Sequence, residues 1–378
     1  MKPITELTVY TKGPAGDYKT WSNVPFFLTD ALRAHDVRVN LVDINQYPLV
    51  EKVYNLTFRL GWKLFHPLST YTYIRSWLRY LITGIRIQTA GRKYPNSQAD
   101  IILTYSSFPH QRCERPVVVL SDWPYGYYID YFRGRSPDML EARSIVREDR
   151  NIESADLVIS LFQNAVDAMK QRYRNKKIYC LGQAINAPAA DEISTLLKMK
   201  AQSFNLLFIG DAKYIAGLRV LIRAYGLLKD SYPELTLTII GQTTSQLEPL
   251  PEGVKSYGYL DKGQEASRNL FYTLLKQARI YVNTTPKWGG FSSILESLAY
   301  YTPVVVSPFH EIVRMFGKEN DFIRYCEENT PEMLAERLKI LLEYPDCPTL
   351  ALQAHAAVED FTWNNYVSRL LNLMETEL

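Results

Sequence analysis

The sequence predicts an α/β protein of two units, each a parallel sheet flanked by helices. Three observations carry that prediction. At 378 residues the chain is long for one core and comfortable for two domains. Short apolar runs alternate with helical stretches, the pattern of parallel strands joined by right-handed crossovers. The stretch from Ile280 to Ser307 reads as strand, glycine loop, helix and second strand, a complete unit of that kind.

Taken in order, Leu7–Thr11 is a short strand. Val24–Ala34 is a helix with apolar Phe26, Phe27, Leu28, Ala31 and Leu32, and Val37–Val42 a second strand ending at Asp43. Asp100–Tyr105 and Pro116–Leu120 are apolar runs short enough to be buried strands. Met139–Asn151 is a charged helix, Leu157–Leu161 a strand, Asn164–Arg172 a helix, and Ile178–Leu181 closes the first sheet. Ala187-Pro188-Ala189-Ala190, small and proline-bearing, reads as the linker. A second αβ series runs from Leu206 to about Ala357, and the last helix, Trp363–Met374, carries Tyr366, Val367, Leu370, Leu371 and Met374 on one face. These readings give a first domain at 1–186, a second at 187–360 and a closing helix at 361–378. There is no internal repeat.

The glycine loop is the most informative segment. After Ile280–Val282 come Trp288-Gly289-Gly290-Phe291-Ser292 and a helix with apolar Ile294, Leu295, Leu298 and Ala299. Free backbone N–H groups at such a helix start, here those of Phe291 and Ser292, make an anion site. Glu296 follows about one turn into the helix, where a carboxylate can face whatever the loop holds. Two α/β units with a cleft between them place ligands at the carboxyl ends of both sheets. Asp122, after the strand ending at Leu120, is therefore a candidate to orient a hydroxyl; its alternative is a turn-forming or helix-capping aspartate. Trp123, Tyr125, Tyr127 and Tyr128 beside it suggest a stacking wall. Gly13-Pro14-Ala15-Gly16 falls short of a full dinucleotide fingerprint and reads as a turn.

Hydrophobic content of 47% and charged content of 22% are those of a soluble globular protein. Cys113, Cys180, Cys326 and Cys347 are scattered, so reduced thiols are expected. The start lacks the apolar core of a signal peptide, and no apolar run reaches the roughly 18 residues that span a bilayer. A cytoplasmic protein is expected. The insert at 51–93 is unusual: eight basic residues (Lys52, Arg59, Lys63, Arg75, Arg79, Arg86, Arg92, Lys93) face one acidic residue, Glu51, with aromatics interleaved. That composition suits a segment lying peripherally on the anionic inner face of a membrane, or holding an anionic, partly apolar ligand. An ordinary amphipathic helix pair is the alternative; nucleic acid is not expected.

The 284–307 stretch resembles the donor-site motif of retaining glycosyltransferases of GT-B architecture, glycosyltransferase family 4, in which Glu-Gly-Phe-Gly is followed by four residues and Glu. Five further segments, in order, extend the resemblance: Ala155–Ser160, Phe204–Asp211 with Gly217–Ala224, Leu235–Gly241, Gly258-Tyr259-Leu260 and Phe361-Thr362-Trp363. The resemblance implies an α/β fold of two Rossmann-like domains facing across a cleft. It implies transfer of a sugar from a nucleotide-diphosphate sugar, with retention, to a glycan, lipid-linked or small-molecule acceptor. The nucleotide-sugar is a co-substrate; no cofactor is expected. No Asp-x-Asp loop site is present and the five histidines do not cluster, so a metal-free reaction is expected, with helix ends and cations neutralising the diphosphate.

By resemblance Glu296 holds the ribose hydroxyls, Gly289, Gly290, Phe291 and Ser292 cradle phosphate, Gly210 lies at the donor strand's end, and Tyr259 and Leu260 lie beside the nucleobase. The departures are as definite. Trp288 stands where the family has its first glutamate, Ser121 where it often has histidine, and Asp211 and Ala216 where it has Arg and Lys. Lys213 and Arg219 can restore that charge. Lys19-Thr20 falls where the family has a Gly-Gly pair, with Gly13 and Gly16 just upstream. Asp122, Lys213 and Glu296 are the candidate catalytic residues. Three other readings stay open: a catalytically silent relative that binds a nucleotide or partner, an inverting enzyme with Asp122 as base, and a nucleotide-sugar epimerase.

Overall fold

The structure is a computed structural model that describes residues 3–17, 20–45, 47–111, 114–188, 192–243, 247, 249–287 and 291–378. It divides into two units: Met1–Ala184 with Trp363–Leu378, and Ile185–Thr362. Among the described residues no helix is long and apolar enough to cross a membrane. Cys180, Cys326 and Cys347 form no disulfide among the described residues; Cys113 lies outside them.

Unit 1 holds β1 (Glu6–Thr11), α1 (Val24–Ala34), β2 (Arg38–Asp43), α2 (Pro48–Phe65), α3 (Trp77–Lys93), β3 (Ala99–Ile102), β4 (Val117–Ser121), α4 (Met139–Ser154), β5 (Leu157–Ser160), α5 (Gln163–Arg172) and β6 (Ile178–Cys180). The sheet order is β2-β1-β3-β4-β5-β6, all parallel. Strand order therefore reverses direction between β1 and β3, the place where α/β sheets open a crevice. The strand expected over Asp100–Tyr105 stops at Ile102. Leu103 N bonds back to Tyr10 O at 2.9 Å and Thr104 N to Ile102 O at 2.8 Å, turning the chain over the end of β1. Helix α4 begins where Asp138 accepts from the backbone of Leu140 and Glu141, both at 2.9 Å, while Glu141 Oε2 accepts from Asp138 N.

The insert departs from its sequence reading. Tyr71, Tyr73 and Arg79 are buried, Tyr54 stacks on Phe58 at 5.0 Å, and Arg75 is held by Glu148 at 3.1 Å and lies over the Tyr125 ring. Tyr71, Tyr73 and the central arginines Arg75 and Arg79 thus turn inward, while Phe65 and Trp77 face out. Leu49, Val53, Leu56 and Leu64 are exposed along one side of α2, and Phe65, Trp77, Lys52 and Lys63 are exposed as well.

Unit 2 holds α6 (Ile193–Gln202), β7 (Asn205–Ile209), α7 (Ile215–Lys229), β8 (Thr236–Ile240), β9 (Val254–Ser256), α8 (Glu265–Gln277), β10 (Ile280–Asn283), α9 (Phe291–Ala299), β11 (Val304–Val306), α10 (His310–Phe316), β12 (Ile323–Tyr325), α11 (Pro331–Leu342) and α12 (Cys347–Ala356). The order β12-β11-β10-β7-β8-β9 reverses between β7 and β10. Leu218, Leu221, Ala224 and Leu228 of α7 are buried against Leu206, Phe208, Leu237 and Ile239 of the sheet. Each such leucine contributes about 1.5–3 kcal/mol on burial. Lys200 of α6 is buried yet satisfied, donating to Leu275 O at 2.9 Å, Ala278 O at 2.7 Å and Thr302 Oγ1 at 2.5 Å.

Candidate functional site

In unit 2 the crest of the sheet is built by close backbone approach. Gly241 has φ +101, and a Cβ there would lie 2.4 Å from Gly210 O. Gln242 Nε2 donates to the same carbonyl at 2.9 Å, and Gly241 N to Gly258 O at 2.7 Å, so the loops after β7, β8 and β9 are tied together. Gly217, in the first turn of α7, admits the loop after β10: a Cβ there would meet Thr285 Oγ1 at 2.6 Å. That loop is pinned on its far side, with Thr284 Oγ1 donating to Asn329 Oδ1 at 2.6 Å and Ser307 Oγ to Thr285 O at 2.8 Å. Gly210 and Thr285 thus sit at the reversal point between β7 and β10.

Helix α9 starts at Phe291, which is buried against Phe309, while Ser292 is exposed. Glu296 is buried in the same helix, and Lys262 Nζ donates to both of its carboxylate oxygens, at 2.8 and 2.9 Å. Burial raises the Glu296 pKa and Lys262 pulls it back. Lys262 in turn lies over the Phe271 ring, 4.0 Å from its centroid. A carboxylate has about four acceptor sites, so two remain for a diol. Sequence reasoning missed Lys262; nothing in a loop lysine 34 residues away signals the pairing.

The other donor-side candidates are less gathered. Lys213 is exposed at the end of β7, 3.7 Å from the Asp211 carboxylate and over the Tyr214 ring. Arg219 is exposed, and stands about 200° round α7 from the direction in which Gly217 meets Thr285, so it faces away from this loop. Tyr259 is exposed and Leu260 half-buried in the loop after β9. Trp288, Gly289 and Gly290 lie outside the described residues. His310 and Glu311 open α10.

In unit 1, Gly16 is exposed in a turn closed by Asp17 N to Pro14 O at 3.1 Å, and Lys19 lies outside the described residues. Next, Trp21, Ser22 and Asn23 all adopt left-handed backbone (φ 40, 53 and 70), a costly run of the kind found at functional sites. Asp122 follows β4. It does not cap the next helical turn, a place taken by Pro124; its carboxylate instead accepts from the Trp21 side chain. Burial raises its pKa, with Trp21 and Lys12 opposing. Asp122, Trp123 and Tyr128 line a cavity of about 400 Å³ together with Lys12, Trp21, Arg75 and Arg79. Of the four aromatics expected here, Trp123 and Tyr128 line the cavity, whereas Tyr125 is core and Tyr127 stacks on Tyr131. Among the described residues no three His, Cys, Asp or Glu side chains converge to hold a metal ion.

With this geometry in hand, comparison with known proteins is informative. Residues 203–344 match the family Glycosyl transferases group 1. No curated protein matches the chain. Among solved structures, Thermosynechococcus elongatus sucrose-phosphate synthase superposes with TM-score 0.67 at 13% identity, over 98% of both chains. An Anabaena protein bound to UDP and glucose gives 0.58 at 15%, over 99% of this chain and 100% of that one. Staphylococcus aureus TarM with UDP gives 0.53 at 15%, over 73% of this chain, which spans only 55% of TarM. At such identities the likeness is one of fold. Residues 203–344 thus match the family Glycosyl transferases group 1, on a chain whose two parallel six-stranded sheets follow the architecture of GT-B glycosyltransferases.

Proposed function

We propose that the protein transfers a sugar from a nucleotide-diphosphate sugar to an acceptor, with retention and without a metal. The observation that carries this reading is the buried carboxylate of Glu296 in the second turn of α9, inside the segment that matches the group 1 family. A buried acceptor pair of this kind is suited to a ribose diol, and amides at the start of α9 to the diphosphate. UDP bound to two proteins of the same fold makes it the first nucleotide to try. Lys213 supplies positive charge beside β7, and Asp122 in unit 1 orients the acceptor hydroxyl. The leaving phosphate takes the acceptor's proton on the same face, so no side-chain nucleophile is assigned. Purified protein incubated with UDP-, GDP- and ADP-sugars in EDTA should release a nucleoside diphosphate from one of them. Tight nucleotide binding with no release would make it a silent relative; restoration only by magnesium or manganese would overturn the metal-free part.

Attachment to a membrane belongs to the same proposal. It rests on the exposed Leu49, Val53, Leu56 and Leu64 of α2, with Lys52 and Lys63 beside them.

A further inference from the structure

Three cations, Lys12, Arg75 and Arg79, and one carboxylate, Asp122, line the cavity of unit 1. Lys12 follows β1 directly, Arg79 comes from α3 and Arg75 from the turn before it, and all three line the cavity. Arg75 is matched by Glu148 at 3.1 Å. Arg79 is not matched: it is 2% exposed, and both terminal guanidinium nitrogens are buried without a hydrogen bond among the described residues. Neither Lys12 nor Arg79 forms an ion pair with a carboxylate among the described residues. Burial first, and then the charges of Arg79 and Arg75, push the Lys12 pKa down to about 7, with the carboxylates of Glu148 and Asp122 opposing. A buried guanidinium with idle donors costs several kcal/mol unless something anionic meets it. The position also fits a ligand, since the cavity lies at the carboxyl ends of β1, β3 and β4, where the strand order reverses.

We propose that this cavity binds the phosphate group of the acceptor, with Arg79 and Lys12 as its direct partners, so that the acceptor is a phosphorylated sugar or a molecule of like size and charge. The proposal rests on the glycosyltransferase reading above. Arg79 supplies a planar fork suited to two phosphate oxygens, and Lys12 a point charge. Asp122, Trp123 and Tyr128 on the same walls suit a sugar ring, with a carboxylate for a hydroxyl and rings for its faces. About 400 Å³ lies within the range of small-molecule sites. The donor's diphosphate is the other source of the same chemistry, but Glu296 and the segment that matches the group 1 family are in unit 2, whereas every cation of this cavity is in unit 1.

Calorimetric titration of the whole chain with orthophosphate, glucose 6-phosphate, glucose and UDP tests this. Glucose 6-phosphate should bind more tightly than glucose, and orthophosphate should compete with it. Lys12→Gln should weaken glucose 6-phosphate by about tenfold or more while leaving UDP within about twofold. Arg79→Gln should do the same; if it fails to fold, Lys12→Gln carries the test. A chain that binds UDP but takes up neither phosphate probe overturns the proposal and leaves the donor reading standing. Equal loss of UDP and glucose 6-phosphate in Lys12→Gln assigns the anion to the donor and also overturns it. A chain that binds no nucleotide defeats the donor reading instead.

Discussion

Lys262 and Glu296 form one buried ion pair whose halves come from a loop and from the second turn of a helix, joined by hydrogen bonds of 2.8 and 2.9 Å. The pair fixes the carboxylate and ties the loop after β9 to α9.

If Glu296 holds a ribose diol, Glu296→Gln should weaken nucleotide binding by about 1–3 kcal/mol, because a charged acceptor becomes a neutral one. Titration calorimetry with UDP and GDP measures it. Equal affinity in mutant and wild type removes Glu296 from the site.

Lys262→Met keeps the packing on Phe271 but leaves a buried carboxylate alone, at a cost of about 3 kcal/mol. The double variant with Glu296→Gln should recover most of that in urea unfolding. The pH dependence has a definite sign. Burial already raises the Glu296 pKa, and losing Lys262 raises it further. The deficit is therefore small where the carboxyl is protonated, and grows as pH rises through the raised folded-state value of the intact pair. A deficit independent of pH would trace the loss to packing alone.

Gly217→Ala places a methyl 2.6 Å from Thr285 Oγ1 and 3.0 Å from Thr285 N. Either α7 or the loop must shift, costing about 1–3 kcal/mol. Melting temperature and UDP affinity should both fall; an unchanged affinity would mean that the loop after β10 does not position the ligand.

Changing Leu49, Leu56 and Leu64 together to Ser should abolish co-sedimentation with anionic vesicles at low salt, since each leucine buried in lipid contributes about 1.5–3 kcal/mol. Lys52 and Lys63 add about 1 kcal/mol each near the surface, so attachment should weaken as salt rises. Wild type that stays in solution with such vesicles removes the membrane from the proposal.

Much of the fold was legible because buried strands are short apolar runs and α1 has clean periodicity; the helix expected over Val24–Ala34 is the helix observed. Elements were missed where a charge occupies a buried position. Lys200 interrupts the apolar face of α6, yet the site satisfies it with two carbonyls and a hydroxyl that only the folded chain assembles. Arg79 misled in the opposite direction. Counted among surface charges in a basic segment, it is one of the largest fully buried side chains. Glu296 was legible from its spacing in the glycine-loop motif, while Lys262 and the Lys12–Arg79 grouping depend on contacts between distant segments.

The last helix, Trp363–Glu377, belongs to unit 1, where Glu375 accepts from Ile4 N at 3.1 Å, Asn364 meets His35 at 2.9 Å and Glu377 accepts from Tyr179 Oη at 2.8 Å. In the order of synthesis unit 1 is therefore begun first and finished last, with all of unit 2 made in between. A chain stopped at Thr362 should keep a cooperative transition for unit 2 while the partner of α1 is absent from unit 1, and two separated unfolding steps by calorimetry should replace the intact pattern. During translation, the unit that waits for its final helix is the one exposed to chaperones.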